Sequence, residues 1–485
     1  MSETNFKLPG LEVSIEDNGL GYGNDRTGSD NVLIVGFSNS ESTDRVLEPT
    51  LIRCSTDFDK SKSIGDYVVG NSLAVGFKQV STGCSKGIYV VPVPNSCKPT
   101  TVEDVDAKVN MVYYLQDLFY TLKDNALFSD IVLKNIYENQ YEGIEVVCTT
   151  LDYIKDNEIG DDLKDKWLYI VPKDGSETVE VGVGAEDDEE KVYNYSFVKF
   201  ATDGTVKVYA SGLCDGLLYG LDSSAIQEFD GADSKTVENC TQKVSIKKML
   251  ADFCQKTTLS SKQILGYMSE APASSTSLAD FTKWVKDLKE QTYNGYLQIC
   301  ATPLAFFNLS GTPYADTIEA AYCGLVGGLA PESSTTNKEV PGVVRLTSNL
   351  SANQSSVIAS KNYVTIRQKN GTYAIADGVT SAGKTSDFTR LSTVRITNAV
   401  VDYVRAVADP YIGEPNTTEK RNALEGQILE VLGLLQQDGV IQAYKMSMLT
   451  SNQDIIDGNI RIALSIVPVF EIRRINLIIS LRPSL

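Results

Sequence analysis

Hydrophobic and polar residues alternate along this chain with a period that changes from block to block. Residues 11–17, LEVSIED, set Leu11, Val13 and Ile15 against Glu12, Ser14 and Glu16, the period of two expected of a strand with one buried face. The glycine-rich polar stretch GLGYGNDRTGSDN follows and reads as a flexible connector, so the N-terminus is expected to be a strand on a tether. NVLIVGFS and KGIYVVPVP are short continuous apolar runs bounded by turn residues, as in strands covered on both faces of an α/β domain. NSLAVGFKQVSTGCSKG, between them, predicts a short helix ended by glycine. DVDAKVNMVYYLQDLFYTLKD places Val109, Val112, Leu115 and Phe119 on one helical face, and EGIEVVCTT returns as a buried strand.

From Trp167 to about Tyr219 the blocks shorten. VEVGVG, YNYSFVKFA and TVKVYASG alternate around the acidic run Glu186–Glu190, which predicts a β-rich insertion with a solvated acidic turn. Helix and strand patterns resume through LADFTKWVKDLKEQTYNGYLQICATP. Near the end, SDFTRLSTVRITNAVVDYVRAVADPYI predicts a helix burying Ile396, Val400, Tyr403 and Val407, stopped by Pro410. A second helix begins near EPNTTEKRN, where Asn416 and Glu419 have capping-box spacing. It is expected to bury Leu424, Ile428, Val431 and Leu435 and to stop at Gly439. Three strands follow in VIQAYKMSML, GNIRIALSIVP and IRRINLIISL; in the last, Ile475, Leu477, Ile479 and Leu481 alternate with their neighbours.

Composition narrows what such a chain can do. Its 485 residues and 42% hydrophobic content suit a folded protein of several domains. No apolar run is long enough to span a membrane, and MSETNFKLPG has no signal-peptide pattern, so the expectation is folding in a cytoplasm without membrane insertion. Nine cysteines without a C-x-x-C pair read as small buried residues. Histidine is absent, which removes the Ser-His-Asp triad, the usual general acid/base and the common zinc sites. The net charge of −19 opposes a nucleic-acid partner. That charge is uneven: residues 386–485 hold ten basic and eleven acidic residues, so almost all the excess lies before them. A near-neutral C-terminal part is what packing against other protein would favour.

One literal motif demands a test. GVTSAGKT, residues 378–385, matches the phosphate-loop pattern. A true loop needs a buried strand before it, a helix starting within Gly-Lys-Thr and an acidic strand end for magnesium. Here NGTYAIADG is a short strand, the next helix is expected only at Asp387, and no magnesium strand is found. The segment is therefore expected to be a turn at a domain boundary with Lys384 solvated or paired with acidic neighbours; a nucleotide-binding protein is the alternative. KDGSETVEVGVGAEDD lacks calcium-loop spacing, so neither a metal site nor a catalytic constellation is expected.

Together these segments resemble the contractile tail sheath proteins of bacteriophages and the related sheaths of contractile bacteriocins and injection systems. The resemblance rests on LPGLEVSIEDNG, on the strand-and-loop segment NVLIVGFSNSESTDRVLEPTLIRCSTDFDKSKSIGD, and on three C-terminal stretches: DFTRLSTVRITNAVVDYV, EPNTTEKRNALEGQILEVLGLLQQDGVIQAYKM and DGNIRIALSIVPVFEIRRINLIISL. The chain departs from the family in its β-rich insertion and in ADGVTSAGKT, where many members read glycine-alanine-arginine-threonine.

The resemblance implies a multidomain α/β fold. It comprises a central subtilisin-like domain that is no protease, a β-rich insertion at about 160–245, and an α+β C-terminal domain completed by N- and C-terminal strands exchanged between subunits. The implied divisions are an arm at 1–30, an outer domain at 31–385 and an inner sheath domain at 386–485. No enzyme activity and no cofactor are implied. The implied partners are further copies, as hexameric rings stacked helically, with a tail tube, a baseplate and a tail terminator, and without nucleic acid. Assembly would occur in the host cytoplasm and the product would be a virion tail, or the sheath of a non-phage contractile system. Leu11, Val13, Ile15, Ile475, Leu477, Ile479 and Leu481 are the expected inter-subunit strand residues. Arg390, Arg395, Arg405, Lys420 and Arg421 are the candidates for facing the tube.

Overall fold

The computed structural model describes residues 31–40, 45–123, 127–150, 167–171, 179–180, 192–193, 195–200, 206–212, 219–221, 241–260, 263–273, 277–473 and 475–476. The expected N-terminal strand at Leu11, Val13 and Ile15 lies outside them, as do Leu477, Ile479, Leu481 and the acidic run.

The elements run β1 (Val32–Phe37), β2 (Thr50–Ile52), α1 (Ser72–Gly83), β3 (Ile88–Val93), α2 (Val105–Leu122), β4 (Asp130–Lys134) and β5 (Glu145–Thr150). They continue with β6 (Trp167–Val171), β7 (Tyr195–Phe200), β8 (Val206–Gly212), β9 (Thr241–Lys243), α3 (Ile246–Ser260), β10 (Leu265–Ser269), α4 (Leu278–Asp287) and β11 (Leu297–Cys300). A six-stranded sheet in the order β11-β10-β4-β1-β3-β2 is parallel except for β2 at its edge. All six positions of β1 are buried, which is why its run is apolar throughout rather than alternating. Asn71 caps α1 by accepting from the Leu73 and Ala74 amides, and Asp104 caps α2 through the Ala107 amide. Val109, Val112, Leu115 and Phe119 are all buried on α2, as their spacing predicts, and Phe119 stacks on Phe253 of α3 at 4.4 Å between centroids. The region expected to be β-rich supplies a second sheet, β8-β7-β6-β5-β9.

After β11 come the antiparallel β12 (Ala305–Leu309) and β13 (Thr312–Asp316), then α5 (Glu319–Gly327), α6 (Ala352–Ser360) and the hairpin β14 (Ile366–Lys369)/β15 (Thr372–Ile375). Helices α1 and α5 meet backbone to backbone: a Cβ on Gly324 would lie 2.7 Å from the Val80 carbonyl oxygen, and one on Gly83 2.5 Å from the Gly324 carbonyl carbon. Only glycine allows that approach.

The C-terminal part holds α7 (Leu391–Ala408), α8 (Thr418–Gln437) and the antiparallel pair β16 (Ile441–Met448)/β17 (Ile462–Pro468). Two hydrophobic cores divide the described chain, one from Val32 to Val394 and one from Ile396 to Ile466. Helix α7 belongs to both. Its first turn, with Leu391 and Val394, packs in the first core, and Ile396 and Val400 pack in the second.

Five local expectations are corrected. Helix α7 starts at Leu391 rather than Asp387, because Val379 and Arg390 first form an antiparallel bridge that holds residues 380–389 as a loop. Tyr403 is 53% exposed, and the buried stripe runs through Val404 to Ala408 instead. The cap of α8 is Thr417, whose hydroxyl accepts from the Lys420 amide, and Leu432 rather than Val431 is fully buried. Gly439 does end α8, with φ +77°. Finally, Ile472, Arg473, Ile475 and Asn476 lie in no strand, although the pattern of IRRINLIISL predicts one from this point.

Candidate functional site

The most chemically connected surface is the junction where the chain leaves the first core for the second and its last described residues return to it. The strap Gly378–Ala382 is buried there. Thr380 donates its backbone N–H to the Thr389 carbonyl and its hydroxyl to the Phe388 carbonyl, while Ser381 donates its N–H to Leu297 and its hydroxyl to Asn294. These bonds fix the phosphate-loop look-alike as a structural strap. Its Lys384 pairs with Glu290 at 2.8 Å, and residues 386–390 separate it from α7, so that helix does not start within Gly-Lys-Thr.

At the end of the strap Asp377 receives two guanidinium groups. Arg390 pairs with it through Nη1 and donates Nη2 to Oδ2 at 3.3 Å, and Arg473 donates Nη2 to the same Oδ2 at 2.7 Å. Glu471 completes the group, with Oε1 at 3.3 Å from Arg390 Nη1. Burial, with the Asp377 charge, pushes the Glu471 carboxyl above its ordinary value. Residues 471–473 are thereby tied to the first core, although β17, three residues earlier, belongs to the second. Beyond this tie, Phe470, Ile472 and Ile475 are 59%, 84% and 83% exposed.

The five basic residues singled out in the sequence do not form one surface. Arg390 is engaged by Asp377 and Glu471. Arg395 donates to the Ala330 carbonyl at 3.0 Å and the Leu329 carbonyl at 2.5 Å, clamping α7 to the first core, and its burial lowers its pKa. Arg405 is buried to 1% exposure, and that burial pushes its pKa down to about 10 against the pull of Asp409. Arg421 is turned onto Asn416, donating to that residue's carbonyl and side-chain oxygens, and it also donates to the Thr418 hydroxyl. Lys420 alone of the five reaches out, in an exposed pair with Glu414. The arginines of α7 thus do work inside the subunit, which a helical-face count cannot distinguish from outward display.

Sequence reasoning missed Asp377, Glu471 and Arg473. Asp377 and Arg473 stand 96 residues apart, so no local pattern links them. A second missed connection is Gln263, which donates to the Asn398 carbonyl and to Asp402 on α7.

The place where an open parallel sheet ordinarily holds its ligand, beyond the carboxyl ends of the strands, is filled by protein. Lys134, the last residue of β4, lies wholly buried 3.0 Å from both Asp316 and Glu319, and Ser269, at the end of β10, donates to Glu319. Among the described residues no group of His, Cys, Asp and Glu could hold a metal ion, and no helix is long and apolar enough to cross a membrane.

No protein-family model matches the chain, and no curated protein matches its sequence. Solved structures do match in fold. A chain of the extracellular contractile injection system PVC sheath complex in its contracted state has a TM-score of 0.53 at 10% identity, covering 99% of each chain. A chain of the anti-feeding prophage baseplate has a TM-score of 0.52 at 10% identity, covering 99% of this chain and 100% of that one. The anti-feeding prophage helical sheath in its contracted state gives 0.50 at 10% identity over 98% and 99%. From end to end, therefore, this chain has the fold found in the sheaths of contractile injection systems.

Proposed function

We propose that the chain is a structural subunit of a contractile sheath, of a phage tail or a related injection system, that polymerises around a tube and shortens to drive it through a cell envelope. The observation that carries this reading is the likeness of fold over 99% of the chain to a PVC sheath chain. A chain without histidine, whose sheet crevice is closed by a buried ion-pair cluster, suits a mechanical role better than a catalytic one. The parallel-sheet body then corresponds to the subtilisin-like domain of the family, and self-assembly in stacked rings, with tube and baseplate as partners, follows from the same likeness. Work comes from relaxation of a metastable extended polymer to a compact one, with no nucleotide consumed.

The subunits are joined by exchanged strands. The β16/β17 ribbon is only two strands wide among the described residues, and an isolated pair is marginal and offers unpaired backbone at its edges. Leu11–Ile15 of one copy and Ile475–Leu481 of another would extend it by β-augmentation. The chain start supports this. Asn31 accepts from the Ser129 amide, Ser129 accepts from the Leu265 amide, and Gln263 just before it reaches α7. Asn31 therefore lies on the side of the body that meets α7, and the thirty residues before it can span at most about 100 Å, enough to reach a neighbour.

For the tube, Lys420 at the start of α8 is the favoured contact, since Arg390, Arg395, Arg405 and Arg421 are engaged within the subunit. Deleting residues 1–16 tests the arm directly: a folded subunit that no longer polymerises is expected, and normal tubular assembly would overturn it.

A further inference from the structure

A cleft of about 840 Å³ opens at the junction, between α6 and the strap. Its lining includes four cations, Arg367, Lys384, Arg390 and Arg473, and one carboxylate, Asp377. That is the reverse of the chain as a whole, in which 63 acidic residues outnumber 44 basic ones. Asp377 is already shared between Arg390 and Arg473. Lys384 meets Glu290 only at the exposed rim, its side chain 62% exposed. Arg367 donates one Nη2 hydrogen to Asn337, its Nε is buried without a hydrogen-bond partner, and it makes no ion pair among the described residues. The serine hydroxyls of α6 add further polar groups to the wall. With Asp377 and Glu471 on Arg390 and Arg473 and Glu290 on Lys384, Arg367 is the cation of the cleft that no carboxylate among the described residues reaches.

We propose that this cleft receives the acidic N-terminal segment of a second copy of the chain. The proposal rests on the arm reading above and gives the arm a side-chain contact in addition to its backbone pairing. Charge complementarity selects the occupant. Residues 1–30 hold six acidic and two basic residues, and Glu12, Glu16 and Asp17 lie within or directly after the Leu11–Ile15 alternation. Glu12 and Glu16 fall on the face opposite the apolar one. A strand whose apolar face meets the C-terminal core can therefore present carboxylates to Arg367 and Lys384, where a fork of guanidinium hydrogens suits them. Main-chain pairing supplies adhesion, and the cleft supplies selection of register and partner.

The test is a titration of a labelled peptide of residues 8–19 with the full-length chain kept below its assembly concentration. Binding is expected to weaken about tenfold when Arg367→Gln and Lys384→Gln are combined, and equally when the peptide carries Glu12→Gln and Glu16→Gln. Joining the two changes should cost little more than either alone, and salt should weaken only the unaltered pair. A thermal melt of the double variant confirms that it is folded. Equal binding of the charged and neutral peptides would overturn the cleft contact while leaving the exchanged strand standing. Binding of neither peptide would remove both. Displacement of the charged peptide by dilute inorganic phosphate as readily as by excess peptide would make the cleft a small-anion site and also overturn the proposal.

Discussion

Lys134 Nζ lies 3.0 Å from Glu319 Oε1, and both side chains are fully buried. Asp316 lies at the same distance from the ammonium. Burial would lower the Lys134 pKa, yet the two carboxylates raise it. Burial would raise Glu319, yet Lys134 and the hydroxyls of Thr317 and Ser269 lower it, whereas burial of Asp316 prevails and raises it. The proton economy of the cluster is thus a firm Lys134–Glu319 pair beside a carboxyl that resists ionisation. Glu319→Gln should cost about 3–5 kcal/mol at neutral pH because it strands a buried ammonium, and Asp316→Asn should cost much less. Urea unfolding of both variants distinguishes them.

The same signs set a pH dependence. The folded pKa of Glu319 is depressed, so its stabilisation is complete above the unfolded carboxylate value of 4.5 and is lost as pH falls through the folded one. Asp316 has the opposite sign: its share is complete below its unfolded value and lost as pH rises through the raised folded value. The Glu319 share of wild-type stability should therefore be lost on acidification below about pH 4.5, and the Glu319→Gln protein should show a flatter acid limb. Melting temperature against pH reads both.

The helix crossing of α1 and α5 makes a steric prediction. An added methyl at Gly324 would press on the Val80 carbonyl, and one at Gly83 on the Gly324 backbone. Either alanine should destabilise by about 1–3 kcal/mol or more through overpacking, despite alanine's better helix propensity. Denaturant midpoints at unchanged m-value are the measure.

At the junction, Asp377→Asn should cost little through Arg473, which is 55% exposed and screened by solvent, and more through Arg390, whose pair is mostly buried. It should also free the returning segment: amide exchange over residues 469–476 should quicken while exchange in β1 and β4 stays the same. Equal protection in both proteins would show that Asp377 does not hold the segment.

How much was legible follows from which forces are local. The central sheet could be read because its strands are buried on both faces and so are apolar without interruption. Helix α2 could be read because Val109, Val112, Leu115 and Phe119 recur at helical spacing on one buried face. Helix α7 misled because it lies across two cores, so its buried stripe passes through Val404 and Ala408 and turns Tyr403 to solvent. Its start misled because a bridge from Val379 to Arg390, a tertiary event, outcompetes the capping preference of Asp387. The junction itself was invisible: Lys384 attracted notice through a motif, whereas Asp377, Glu471 and Arg473 meet only after the chain has built both cores.

The strap makes a further prediction about that motif. Magnesium nucleotides should leave the melting temperature unchanged, and Lys384→Ala should remove only an exposed ion pair worth less than about 1 kcal/mol. A nucleotide-dependent rise that Lys384→Ala abolishes would reinstate the phosphate-loop reading.

The central claim is that this chain builds a sheath, and electron microscopy of the purified full-length protein tests it most directly. Hollow, ribbed tubes are expected, in which each subunit's C-terminal ribbon is extended by strands from its neighbours. A protein that stays as single compact particles, at high concentration and together with its tube partner, would contradict the account.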